Sequence, residues 1–238
     1  MLNKRLISHN FSRSAATYDR HALLQRKMAD ELLDKIKSHS PLKILDVGCG
    51  TGYLTMKMAA MFPQAEVIGI DIAPGMIAEA KKRGQVNLSF MLGDGEELAF
   101  PDHCFDLIVS NATLQWMVAD KSLIEAKRLL KSGGRLVFNT FGPATLKELK
   151  EAGFRVNVFR SIDELRRLAG KLFTEVKLTS RGAKEKFNSL RELILHLKTI
   201  GAHSAKPGKG LLNKNRLRSL LDKPVAATFE VISGSLVA

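Results

Sequence analysis

Three observations predict an α/β fold with a doubly wound, mostly parallel sheet. An apolar run, Ile44-Leu45-Asp46-Val47, enters a glycine-dense turn, Gly48-Cys49-Gly50-Thr51-Gly52. A second apolar run ends on an acid at Gly69-Ile70-Asp71-Ile72. Apolar segments of strand length then alternate with helical stretches, which argues for right-handed crossovers between parallel strands. Seven strands are expected, with an N-terminal helix before them and a small helical lid inserted before the last.

In chain order, residues 14–37 read as one amphipathic helix with Ala15, Leu23, Leu24, Met28, Leu32, Leu33 and Ile36 on the core side. Strands follow at about 42–47, 66–72, 87–92, 105–110 and 135–141. Pro74 suits the first turn of the helix after the second strand. Leu129 to Phe138 reads as a helix end, a glycine turn at Gly133-Gly134 and a fifth strand. Ser161 to Leu168 is helical, with Ser161 and Glu164 spaced as a capping box. Residues 173–179 read as a strand. A helix is predicted over 185–200, with Phe187, Leu190, Leu193, Ile194, Leu197 and Ile200 on one face and Gly201 as its stop. Lys206–Lys214 is a basic loop, Asn215–Leu221 a short helix and Ala226–Ser233 the last strand. The chain divides into a helical cap (1–40), a cofactor-binding core (41–146) and a basic lid region with the last strands (147–238), in one globular domain.

Such a strand–glycine turn–helix unit holds an adenosine-bearing cofactor: glycines admit the ligand to the backbone, and the acid after the second strand takes the ribose hydroxyls. The dinucleotide pattern G-x-G-x-x-G/A fails here, because Tyr53 stands at its last position. Asp46 would repel a diphosphate but pairs well with an ammonium. S-adenosylmethionine carries an ammonium and no phosphate, so it is the expected cofactor; a nicotinamide or flavin enzyme is the alternative. Asp94, before Gly95 at the end of the third strand, is placed to accept from the adenine amino group, or else is an ordinary turn residue. Residues 40 to 141 together resemble the class I S-adenosylmethionine-dependent methyltransferases, which are Rossmann-like.

The 238 residues, 45% of them hydrophobic, suit one α/β domain with a modest addition. No apolar run of about eighteen residues is present, and no apolar signal core follows Met1-Leu2-Asn3-Lys4-Arg5. The two cysteines, Cys49 and Cys104, sit in unrelated contexts, and no histidine pairs with a cysteine at ligand spacing. A cytoplasmic protein without a metal, a disulfide framework or a membrane anchor is expected. The net charge of +13 is uneven: residues 1–146 hold 18 Lys and Arg against 15 Asp and Glu, and residues 147–238 hold 19 against 9. The second half therefore reads as a docking face for an acidic macromolecule, or as a solvated basic surface. Its aromatics, Phe154, Phe159, Phe173, Phe187 and Phe229, are too sparse for a nucleic-acid stacking platform.

Past the fourth strand stands Asn111-Ala112-Thr113-Leu114-Gln115-Trp116, without the Pro-Pro-aromatic continuation common in enzymes that methylate base or glutamine nitrogens. An amide and an indole N–H there are suited to a carboxylate; the alternative for Trp116 is a core aromatic. Asn10 to Asp19, with Phe11-Ser12-Arg13-Ser14-Ala15 and Tyr18-Asp19, is placed to fold over the cofactor, or else is a surface helix start; Gln25 follows it.

With these residues go Thr140-Phe141-Gly142-Pro143, Thr145-Leu146, Asn157, Phe159, Leu197-Lys198-Thr199-Ile200-Gly201-Ala202-His203 and Ala227-Thr228-Phe229-Glu230-Val231. On all of these segments the chain resembles the BioC family, the malonyl-[acyl-carrier protein] O-methyltransferases of biotin synthesis. The stretches 149–156 and 221–226 are shorter than is usual there. The resemblance implies methyl transfer from S-adenosylmethionine to the free carboxylate of a malonyl thioester, with acyl carrier protein or coenzyme A as the thiol. It implies Asp46, Gly48, Gly50 and Gly52 at the methionine end of the cofactor, Asp71 at the ribose, Asp94 and Gly95 at the adenine, Ile72 and Met76 beside its ring, and Asn111 near the sulfonium. Tyr18, Gln115 and Trp116 would position the substrate, with Arg13, Lys198 and His203 as further substrate-side candidates. Rival readings are an O-methyltransferase of a free acid such as trans-aconitate, or an RNA-directed methyltransferase.

Overall fold

A computed structural model describes residues 3–202, 206–207 and 221–238. The chain opens with two helices, α1 (Lys4–His21) and α2 (Leu23–Ile36), where the periodicity predicts one. The interruption is Ala22, at φ −84° and ψ 49°, whose N–H closes α1 on the Tyr18 carbonyl at 2.8 Å. Neither glycine nor proline marks the break. It turns Leu23 out to 63% exposure, against expectation, while Leu24, Met28, Leu32, Leu33 and Ile36 are buried.

The core follows as β1 (Lys43–Val47), α3 (Tyr53–Met61), β2 (Glu66–Asp71), α4 (Pro74–Ala80), β3 (Leu88–Leu92), β4 (Phe105–Asn111), α5 (Ala119–Leu129) and β5 (Leu130–Phe141). β1 pairs in parallel with β2 and β4, β2 with β3, and β4 with β5. The central strands are buried on both faces, so Ile44-Leu45, Val67-Ile68 and Leu107-Ile108-Val109 read as runs rather than alternations. β5 starts earlier than the expected 135, because Leu130 pairs with Phe105 before a register shift carries the ladder past the glycines to Arg135.

The second half contributes α6 (Lys147–Glu151), β6 (Phe154–Arg155), α7 (Ile162–Ala169), β7 (Glu175–Phe187), α8 (Leu190–Thr199), β8 (Lys206–Pro207) and β9 (Val225–Val237). The capping box of α7 forms: Ser161 Oγ accepts from the Glu164 N–H at 3.2 Å, and Glu164 Oε2 accepts from the Ser161 N–H at 2.8 Å. β7 is longer than the expected 173–179, and the expected helix over 185–200 begins at Leu190. Pairing explains both: β9 continues back to Val225 and draws Lys186 and Phe187 into its ladder. Residues 206–207 pair with β6; the rest of the expected loop, and residues 215–220 of the expected short helix, lie outside the described residues.

The seven-stranded sheet has the order β3-β2-β1-β4-β5-β9-β7, with β9 antiparallel to both neighbours. One face packs on α5 and α7 through Leu123, Leu129, Leu165 and Ala169. The other packs on α2 and α3 through Leu32, Ile36, Leu54 and Met58. A third apolar group gathers Leu149 of α6, Leu193 and Leu197 of α8 and Phe229 and Val231 of β9 beside the end of β5. The carboxyl ends of β1 to β4 therefore share one edge of the sheet, where open α/β folds bind ligands.

Candidate active site

At that edge lies a cleft with about 690 Å³ of empty space, open solvent at its mouth included. Gly48 and Gly50 line it from the turn after β1, Asp71, Ile72 and Met76 from β2 and α4, and Asp94 and Gly95 from the turn after β3. Asn111 and Ala112 line it from the end of β4, and Lys4, Phe11 and Tyr18 from α1. Helix α1 is pinned over the opening. Lys4 pairs with Asp94 at 2.7 Å and Glu96 at 2.8 Å, and Ser8 Oγ donates to the Ile72 carbonyl at 2.9 Å. Near its far end, Asp19 pairs with Arg83 and accepts from Thr51 Oγ1 at 2.6 Å.

The turn after β1 is held open. The N–H groups of Gly48 and Cys49 both donate to the Ile70 carbonyl at 2.8 Å. Asp71 accepts from the Gly50 N–H at 3.0 Å and the Ala73 N–H at 2.8 Å, which leaves further acceptor positions for a ligand. Burial pushes the Asp71 carboxyl up, against the pull of those two N–H groups. A Cβ built on Gly50 (φ +55°) meets nothing within 4 Å. Gly52 differs. It does not line this cleft, and a Cβ there would lie 2.6 Å from the Phe90 ring, so this glycine lets the start of α3 pack on β3.

Asp46 does not line the main cleft. It is 1% exposed and accepts from Thr55 Oγ1 at 2.7 Å. Burial pushes its carboxyl up to about 7, with the Asp71 charge adding to the shift. It lines a smaller adjoining cavity, which shares Tyr18, Gly48, Gly50 and Asn111 with the main one. Arg26, which the sequence reading passed over, lines that cavity too and lies 4.6 Å over the Tyr53 ring. A cation and an anion in one small space fit the zwitterionic end of an amino acid.

A second cavity, with about 720 Å³ of empty space including open solvent at its mouth, shares Phe11, Tyr18, Ala112 and Trp116 with the cofactor cleft. Trp116 ends a short 3₁₀ turn after Ala112, whose φ of +53° is left-handed, and it packs edge-on against Phe11 at 5.5 Å. Burial, with the charges of Asp71 and Asp19, raises the Tyr18 hydroxyl well above its ordinary value, so it remains a donor at neutral pH. Gln115 lines the second cavity but not the cofactor cleft. Its amide is fixed, Nε2 donating to the Ala112 carbonyl at 2.6 Å and Oε1 accepting from Thr140 Oγ1 at 2.9 Å. Asn111 Nδ2 is similarly engaged, with the Gln25 carbonyl at 2.9 Å.

Three substrate-side candidates do not join this group. Arg13 and Lys198 are exposed and line neither cavity. His203 lies outside the described residues. Two residues before Lys198, His196 lines the second cavity, and so does Glu185 of β7; both went unread in the sequence.

The residues present fit S-adenosylmethionine: acceptor capacity at Asp71, open space at Gly50, apolar walls at Ile72 and Met76, and an acid and a base, Asp46 and Arg26, lining the adjoining cavity. Fold and site define a class I S-adenosylmethionine-dependent methyltransferase.

Comparison with known proteins agrees. Residues 38–193 match the model of a methyltransferase domain family. A malonyl-[acyl-carrier protein] O-methyltransferase of Anoxybacillus flavithermus is 39% identical over 220 residues, covering 88% of this chain and 84% of that one. The biotin biosynthesis bifunctional protein BioHC of Cellvibrio japonicus is 34% identical, covering 92% of this chain and 45% of that one. Among solved structures, phosphoethanolamine N-methyltransferase 2 of Haemonchus contortus with S-adenosyl-L-methionine has a similar fold: TM-score 0.61 at 17% identity, covering 89% of this chain and 52% of that one. The chain belongs to the malonyl-[acyl-carrier protein] O-methyltransferase family.

Proposed function

We propose that this protein methylates the free carboxylate of a malonyl thioester carried by acyl carrier protein, an early step of biotin synthesis. The observation that carries the proposal is the wall of Phe11, Tyr18, Ala112 and Trp116 common to the two cavities. A donor seated in one and an acceptor seated in the other meet there.

When bound, S-adenosylmethionine supplies a methyl group on a cationic sulfur, which keeps the electron pair of the broken carbon–sulfur bond. The residues around it do the rest by binding and alignment. Gly48 and Gly50 admit the cofactor to the backbone, Asp71 takes the ribose, Ile72 and Met76 flank the adenine, and Asp94 with Gly95 closes that end. Asp46 and Arg26 face the methionine end, and Asn111 holds the turn by the reacting carbon.

A carboxylate is already ionised at neutral pH, so no strong general base is needed. What it needs is orientation, worth several orders of magnitude when the reacting atoms are held in line. Tyr18 and Trp116 offer neutral donors, and Gln115 retains one N–H beyond its bond to Ala112. Neutral donors orient the carboxylate without quenching it as an ion pair with arginine would. Among the described residues no lysine or arginine lines the second cavity.

The partner is an acidic carrier protein, met by the basic second half. Lys184, Lys186 and Lys198 are exposed on β7 and α8, the elements that carry Glu185 and His196 into the substrate cavity. Complementary charge of this kind sets encounter rate and partner choice more than final affinity. The protein is expected to act in the cytoplasm; no helix among the described residues is long and apolar enough to cross a membrane.

The test offers labelled S-adenosylmethionine with malonyl-carrier protein, malonyl-coenzyme A and free malonate. Transfer to the carrier-linked group, abolished when its carboxyl is already esterified, is the expected result. Cofactor binding without transfer to any of the three would reject the substrate.

A further inference from the structure

We infer that Glu185 sets the specificity of the substrate cavity, admitting acids whose far end is uncharged and turning away free dicarboxylates. The inference rests on the proposed reaction and names the residue that separates its thioester substrate from small diacids.

Glu185 is on β7, paired with Ala227 of β9, and is the only carboxylate among the described residues lining the second cavity. It makes no ion pair within the described residues. The other titratable groups there are Tyr18 and His196. Burial lowers the His196 imidazole, His21 lowers it further and Glu192 opposes, so it is largely neutral and does not cancel the acid's charge. Burial also pushes the Glu185 carboxyl up, so the cavity already resists one negative charge at this place. The donors Tyr18 and Trp116 stand on the wall shared with the cofactor cleft, which fixes where the reacting carboxylate goes. The rest of the acyl chain must then extend into the cavity that Glu185 lines. A thioester there is neutral and brings no repulsion. A second carboxylate shares the cavity with Glu185, and one of the two must take up a proton or bear the repulsion. Like charges sharing a cavity at an effective dielectric of ~20 disfavour each other by about tenfold or more.

The experiment measures kcat/KM for malonyl-carrier protein, malonyl-N-acetylcysteamine and free malonate with the wild type, Glu185→Gln and Glu185→Asp. The free-malonate to thioester ratio is expected to rise about tenfold or more in Glu185→Gln and to stay near wild type in Glu185→Asp, which keeps the charge. Calorimetric cofactor binding checks that each variant is folded. A measurement on the unmodified protein needs no variant: monoethyl malonate, with one carboxylate and a neutral far end, should be methylated at least about tenfold better than malonate. An unchanged ratio in a folded Glu185→Gln, or equal use of monoethyl malonate and malonate by the wild type, would overturn the inference. Failure of the wild type on malonyl-carrier protein is a separate result. It removes the proposed function, and this inference with it.

Discussion

Asp46, buried, and Asp71, half-buried, are both acids at the cofactor edge, but they answer to different tests. The folded-state value of Asp46 is raised from 3.8 to about 7 by burial, so over that interval the folded chain keeps a proton that the unfolded chain has lost. Its contribution to stability is complete below about 3.8 and disappears as pH rises through about 7. Denaturant melts of wild type and Asp46→Asn should therefore show a difference between the two that changes across this interval; a constant difference would count against the burial account. Pairing with the cofactor ammonium favours the ionised form, so cofactor binding below neutrality should release a proton, readable as a buffer-dependent heat. Asp71→Ala removes charge-assisted acceptors worth about 1.5–3 kcal/mol each. Calorimetry should show cofactor affinity falling by at least about tenfold with the fold intact. The glycines divide in the same way. Gly52→Ala forces a Cβ into Phe90 and should lower the melting temperature, whereas at Gly50 the added methyl enters space the cofactor takes, so affinity should suffer more than stability. That Gly48, Gly50 and Asp71 line the cleft was legible in the sequence, because a strand end and a tight turn are local features. His196 was not, and Lys198 stood in for it. Two helical positions are ~200° apart, and no local signal says which of the two faces the cavity.

Among the elements, α1 combines a small apolar contact, Phe11, Ala15 and Tyr18 against Ala73 and Met76, with several polar fastenings. Of its eighteen residues only Ser14 and Ala15 are buried, while Lys4, Ser8 and Asp19 fasten it across the cleft. Such an element opens at low free-energy cost. Arg83→Ala, which unfastens the Asp19 end, should speed limited proteolysis within α1 several-fold, and saturating cofactor should slow it again, because α1 lines the cleft. Equal cleavage with and without cofactor would contradict this placement. The break at Ala22 that lets α1 cross the cleft was invisible in the sequence, since the apolar period runs on through it. The strands of the core and the capping box of α7 were legible from local pattern. The reach of β7 to Phe187 was not: Phe187 fits a helical and a strand period equally, and pairing with Val225, thirty-eight positions on, decides it.

Across the whole molecule, charge and cavities are arranged by half. The first half lines the cofactor cleft, the second half adds Asn157, Glu185 and His196 to the second cavity, and in the proposed function its basic surface meets the carrier. Raising ionic strength should therefore increase KM for malonyl-carrier protein several-fold and leave KM for malonyl-N-acetylcysteamine nearly unchanged, because screening acts on the protein–protein encounter. Parallel salt responses would remove the docking role of the basic half. The charge asymmetry and the cofactor turn could be read from the chain alone. That the two cavities share a wall depends on α1, β4 and the turn at Trp116 converging, which is a property of the tertiary fold. The most direct measurement is a crystal structure with S-adenosylhomocysteine and a malonyl amide in place of the thioester. The expected result is the cofactor sulfur and the malonyl carboxylate facing each other between Tyr18 and Trp116, with the amide end running toward Glu185. A carboxylate bound away from that wall, or a malonyl group outside the second cavity, would contradict the account.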